Sequence, residues 1–186
     1  MLVVILSLIG GLGVGYATGG RLGNVQRAHF RHAWLVVAAL ALQLLAFSPV
    51  GSHLAAGWVI ALHLTSYTGL LAFAAINLRS FGVLVASVGL VCNALVIAAN
   101  GGYMPARRAA LSTAGVLYAG DSAANSRLAD GSTRFAFLGD VFALPKGMPL
   151  ANVFSIGDIL IAAGLALLIV LAMHRVDLRP QAEEAA

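Results

Sequence analysis

The chain has 186 residues, 60% of them hydrophobic and only 10% charged, with a formal net charge of +4. A soluble domain carries about 25% charged residues, so a soluble globule is excluded and lipid must form part of the solvent. The few arginines stand beside apolar runs, where anchoring and orientation in a bilayer explain them and nucleic-acid binding does not.

Five apolar segments follow in chain order, at about 2–20, 33–50, 54–77, 81–99 and 153–174. A spanning helix needs about 20 apolar residues. The last three segments meet this length, and the first two need their flanks. The first segment is not preceded by basic residues. Arg21, Arg27 and Arg31 follow it instead, which reads as a retained helix and not as a cleaved signal. The expected fold is an all-α integral membrane protein, a single domain of five transmembrane helices with a long outer loop at 100–152.

Short loops set the orientation. Arg21, Arg27, Arg31 and Arg79 fall on one face with Arg175 and Arg179 of the tail 175–186, and the 51–53 turn has no Lys or Arg. The expected placement is a bacterial inner membrane, with the N-terminus outside, the C-terminus cytoplasmic and the long loop extracytoplasmic.

Within that loop, Pro105 suits the first turn of a helix, and a short surface helix is expected over 106–118. Residues 135–144 are apolar except for Asp140 and too short to cross a bilayer. They are expected to be interfacial or re-entrant.

Gly11, Gly15 and Gly19 are spaced four apart, which marks a helix-packing face. Gln43, His63, Asn93 and Asp158 are polar residues inside apolar spans, where burial is costly. At 1.5 Å per residue they lie roughly 8–13 Å below the outer rim, and Asn100 lies at the rim itself. The expectation is a polar pocket open to the outside, with Asp140 joining Asp158 as polar contacts and Tyr103 and Phe135 as lids. Ser155 followed by Asp158 also matches a helix capping box, and a His63–Asp158 pair is the alternative role for this acid.

No metal motif, haem ligand pair, nucleophile elbow or phosphate loop occurs. The single Cys92 lies in an apolar run and permits no cysteine-based site. No catalytic set, metal or cofactor is therefore assigned. Membrane lipids are the expected partners, with a larger membrane complex or a homo-oligomer as further partners.

Three short motifs, Asn100-Gly-Gly-Tyr-Met-Pro105, Phe137-Leu-Gly-Asp140 and Val153-Phe-Ser-Ile-Gly-Asp158, together with Gly20-Arg-Leu-Gly23, resemble a family of small bacterial multi-span membrane proteins catalogued as a domain of unknown function. The resemblance implies a bacterial multi-span membrane protein and carries no activity. The leading functional expectation is an accessory or assembly subunit, or a binder of a small ligand or lipid at the outer face. The alternatives are a small transporter or proton-coupled permease, and an outer-facing enzyme using Asp140 or Asp158 as base.

Overall fold

The structure is a computed structural model that describes residues 2–116 and 126–174, apart from the side chains of residues 2–4 and 27. The tail with Arg175 and Arg179 and the end of the helix expected over 106–118 lie outside the described residues.

Five apolar helices form where the sequence places them: α1 (Leu2–Ala17), α2 (Trp34–Ala46), α3 (Ala56–Ile76), α4 (Phe81–Ala99) and, after a short α5 (Arg108–Ala114), α6 (Ile156–Met173). Three of them, α3, α4 and α6, are long and apolar enough to cross a membrane. The 16 residues of α1 and 13 of α2 are shorter. Both stop for local reasons. α1 ends ahead of Gly19, whose φ is +86°, and α2 ends ahead of Ser48-Pro49, where the Ser48 hydroxyl donates to the Leu45 carbonyl.

The helices pack in the order α2, α3, α4, α6, α1, with the most extensive contact between α4 and α6. That contact is backbone against backbone. Gly82 and Gly89 of α4 meet Gly164 and Gly157 of α6, and a Cβ at any of the four would strike the facing helix. Glycines seven apart return to one helix face and let two axes approach closely. Gly11 and Gly15 of α1 likewise face α6, at Ala166 and Met173. Gly19 is a correction to the expected packing series. It lies beyond the helix, in a turn, with no atom near its Cβ position.

The larger correction concerns the long loop, which is not an all-α appendage. It folds into a four-stranded sheet of order β2-β1-β3-β4, made of β1 (Met104–Ala106), β2 (Ser126–Leu128), β3 (Asp140–Ala143) and β4 (Val153–Ser155). β1 is parallel to β2 and β3, and β3 is antiparallel to β4. Pro105 lies in β1, not at a helix start, so the helix begins at Arg108 and closes on the left-handed Gly115. Residues 135–144, expected to be interfacial or re-entrant, form a 3₁₀ turn (Ala136–Leu138) and then β3.

The sheet caps one end of the helical row, where α4 leads into β1 and β4 leads into α6. The other end gathers the basic loops. The Arg21 N–H donates to the Met173 carbonyl, and the Asn77 amide holds the Arg31 backbone from both sides.

Candidate functional site

The junction of cap and helices is built by a cross-strand register. β3 and β4 place Asp140 opposite Ser155. One residue later the chain becomes α6, and Ser155 serves as its N-cap. The Asp158 N–H donates to Ser155 Oγ at 3.0 Å, and the Ser155 N–H donates to Asp158 Oδ2 at 3.0 Å. The capping box read in the sequence is therefore present.

The same groups reach across to α4. Asn93 Nδ2 donates to Asp158 Oδ1 at 2.9 Å, and Ser155 Oγ donates to Asn93 Oδ1 at 2.9 Å. Asn93 is 2% exposed and Ser155 fully buried. Both oxygens of Asp158 are thus engaged, one on its own helix end and one on the neighbouring helix.

Tyr67 of α3 extends this network. Its side chain neighbours Asn93, and its ring packs edge-on against His63 at 5.3 Å between centroids. His63 is held on its other side by Phe47 at 4.8 Å, and its Nδ1 meets the Gly102 carbonyl at 3.3 Å. Direct pairing of His63 with Asp158 is not found, because Tyr67 and Gly102 occupy the ring's neighbourhood. Gln43 sits one step further out, donating to Ser66 Oγ at 3.0 Å, while Ser66 donates to the His63 carbonyl at 2.6 Å. Gln43 and His63 are thus joined through Ser66, Asn93 and Asp158 form a second bonded set, and Tyr67 is packed between the two. Among the described residues, no buried side-chain nitrogen or oxygen lacks a hydrogen-bond partner. The cluster is a satisfied network.

Tyr67 and the glycines of the α4–α6 contact were not singled out from the sequence. Spacing carried the signal for both: Tyr67 follows His63 by four, on the same helix face, and Gly82/Gly89 and Gly157/Gly164 are each seven apart.

Asp140, in the sheet and 7% exposed, bonds to Ser126 and feels the charge of Asp158. Burial first, then repulsion by Asp158, raises its carboxyl to a pKa of about 7, against the relief that Ser126 gives. Because the folded form holds this proton more tightly than the unfolded chain, the contribution of Asp140 to stability is greatest at low pH and falls as pH rises from about 4 towards about 7. Asp140→Asn is expected to flatten that slope and to raise the melting temperature at pH 8. Thermal unfolding of both proteins across pH 4 to 8 would check this, and parallel curves would refute it.

Asn100, Tyr103 and the segment after β2 form a separate feature. Asn100-Gly-Gly ends α4 with two left-handed residues, Gly101 (φ +69°) and Gly102 (φ +91°), a conformation that glycine adopts without strain. The Gly102 N–H returns to the Ile97 carbonyl at 2.9 Å. The Asn100 amide then grips Arg134, donating to its carbonyl at 2.8 Å and accepting from its N–H at 2.9 Å. Tyr103 carries the Arg127 guanidinium 3.6 Å above its ring. These residues line a half-open cleft of about 440 Å³, completed by Asp130, Ser132 and Thr133. The expected site residues thus divide, with Asn100 and Tyr103 at the cleft and Asp140, Asp158, Asn93, His63 and Gln43 in the buried network. Phe135, expected as a lid with Tyr103, is exposed and begins the 3₁₀ turn with a φ of +53°. Among the described residues no group of three His, Cys, Asp or Glu side chains is placed to hold a metal ion.

Fold and site together define a helical protein with three helices of membrane-crossing length and composition, a small mixed sheet at one end, and a polar network where the two meet. The chain belongs to DUF5317, a family of unknown function, whose model matches residues 27–170. The match takes in α2 to most of α6 and the whole cap. No curated protein and no solved structure matches the chain.

Proposed function

We propose that this is an integral protein of the bacterial inner membrane that binds a small ligand or a lipid on its extracytoplasmic cap. The observation that carries this reading is the 440 Å³ cleft at the end of α4, whose walls are Asn100, Tyr103 and the segment they hold. The orientation rests on charge. Arg21, Arg31 and Arg79 lie in short loops at the end opposite the cap, and basic short loops stay cytoplasmic. The bacterial setting rests on the motif resemblance alone.

The buried network serves this reading as a support for the cleft. It fixes the cap to α3, α4 and α6, so the cleft stands on a rigid base. The enzyme and transporter alternatives find less support. Both Asp158 oxygens are engaged in bonds within the chain, and Asp140 is buried against Ser126. Native mass spectrometry of the full chain released from mild detergent tests the proposal. A retained small molecule or lipid is expected, and its loss in Tyr103→Ala. Retention of nothing, under conditions that keep the fold, would refute it.

An accessory role in a larger assembly has one observation in its favour. α1 and α2 stand at the two ends of the helical order and expose Ile9, Val14, Val37 and Leu44. Lipid covers such faces equally well, so this reading stands second.

A further inference from the structure

We infer that the cleft on the cap is a site for a phosphate group, bound by Arg127 and Arg134, either as the headgroup of an anionic lipid or as a free phosphate. The inference rests on the binder reading and names its ligand chemistry.

The first observation is that Arg127 and Arg134 line one cleft, each held there by a neighbour. Arg127 Cζ lies over the Tyr103 ring, 3.6 Å from its centre. Arg134 is fixed through its backbone, by two hydrogen bonds to Asn100. Stacking occupies the face of a guanidinium and leaves its N–H edge to bind. Among the described residues neither Arg127 nor Arg134 has a side-chain hydrogen bond or a carboxylate partner, so their donors are uncommitted.

The second observation is what Asp130 does. It lines the same cleft, and a surface carboxylate near two arginines would ordinarily pair with one. Instead its Oδ1 accepts from the Ser132 N–H at 2.8 Å and from the Ser132 hydroxyl at 2.7 Å. It also accepts from the Thr133 hydroxyl at 3.3 Å. Asp130 thus closes its own turn and presents Ser132 and Thr133 at the cleft wall. Those bonds favour its charged form and hold its pKa below the usual carboxylate value. The cleft retains a net charge of +1 from its two arginines and one acid.

The third observation is position. The cleft begins at Ala99 and Asn100, where the apolar run of α4 stops. That is the level of lipid headgroups if α4 spans the bilayer. Two arginines lining one cleft at that level suit a tetrahedral oxyanion, since arginine matches phosphate through paired N–H donors.

The test uses the full chain in nanodiscs. In phosphatidylcholine discs, inorganic phosphate is titrated and followed by ³¹P line broadening. In parallel, discs containing phosphatidylglycerol are extracted and the retained lipid is counted by native mass spectrometry. Saturable phosphate binding would assign a free phosphate, and selective retention of phosphatidylglycerol would assign a headgroup. Either supports the inference. Arg127→Gln and Arg134→Gln are each expected to weaken binding about 10-fold or more, the effect of losing a charge-assisted contact. Arg127→Lys should fall between Arg127→Gln and wild type, since it keeps the charge but not the fork. Arg107→Gln, an exposed arginine on the same cap, should bind as wild type does. Equal binding by all variants, or weakening by Arg107→Gln as large as by the other two, would overturn the inference in favour of diffuse charge. If neither probe binds but another small molecule is retained in a Tyr103-dependent way, the phosphate assignment fails and the binder reading stands. If nothing binds at all, both fail. Melting curves of each variant confirm that the compared proteins are folded.

Discussion

Gly157→Val is expected to be the most damaging single substitution in the chain. A Cβ at this position would overlap the Asn93 side-chain oxygen and the Gly89 carbonyl. Neither neighbour can retreat. Gly89 is backbone, and Asn93 is tied to Ser155 and Asp158. The helices must therefore separate or the network must break. Overpacking alone costs about 1–3 kcal/mol, and each buried polar group left without a partner adds about 1–3 kcal/mol. Together these approach the whole stability of an ordinary domain, about 5–15 kcal/mol. The expected result is little folded protein from detergent extracts, judged by size exclusion and thermal unfolding. Gly10→Val provides the contrast. No atom lies near its Cβ position, so it should fold as wild type apart from the small change in helix propensity. A normal melting temperature for Gly157→Val would refute the close α4–α6 contact.

Asp158→Ala is expected to rank second, and it separates the structural role of this acid from any other. The substitution removes the acceptor of the Ser155 N–H and the acceptor of Asn93 Nδ2. The N-cap bond from the residue 158 N–H to Ser155 Oγ survives, but the Ser155 N–H and the Asn93 amide are each stranded at about 1–3 kcal/mol. Asp158→Asn should cost less, because one side-chain oxygen survives to accept one of the two bonds. Both variants also remove a charge that acts on Asp140. Its carboxyl should then titrate below about 7, which infrared spectroscopy of the protonated carboxyl band would follow. If ligand retention drops in Asp158→Asn while its melting temperature holds, the acid has a role beyond the cap. If retention and melting fall together, the capping box accounts for it.

The two substitutions act on different kinds of information. Asp158 was legible because a capping box is local. Ser155 and Asp158 are three residues apart, and the chemistry of one helix end brings them together whatever the rest of the chain does. The depths of Gln43, His63 and Asn93 were legible for a related reason, since rise per residue converts sequence position into height along a helix. Height does not say which way a side chain faces, so the link through Tyr67 was missed. Tyr67 reads as one more large residue in an apolar run until α3 and α4 are packed.

The cap was not legible at all. Its strands have three or four residues, too few for the alternation that marks a strand in sequence. Met104–Ala106 pairs with partners at Ser126–Leu128 and Asp140, and such pairings draw their stability from contacts distant in the chain. Pro105 and the apolar 135–144 stretch misled for the same reason. Their local preferences for a helix start and for an interfacial segment gave way to the tertiary pairing.

By itself, then, the sequence determined the apolar helices, their rough limits, the concentration of basic loops at one end and the cap on α6. These follow from hydrophobic length, charge placement and bonds between near neighbours. Only the tertiary structure decided that the long interruption is a sheet, that its register sets Asp140 opposite Ser155, and that Arg127 and Arg134 line one cleft with Tyr103 and Asn100. The contacts that make them, Asp140 with Ser155, Tyr103 with Arg127 and Asn100 with Arg134, join residues 15 to 34 positions apart, and no local preference in the chain encodes them.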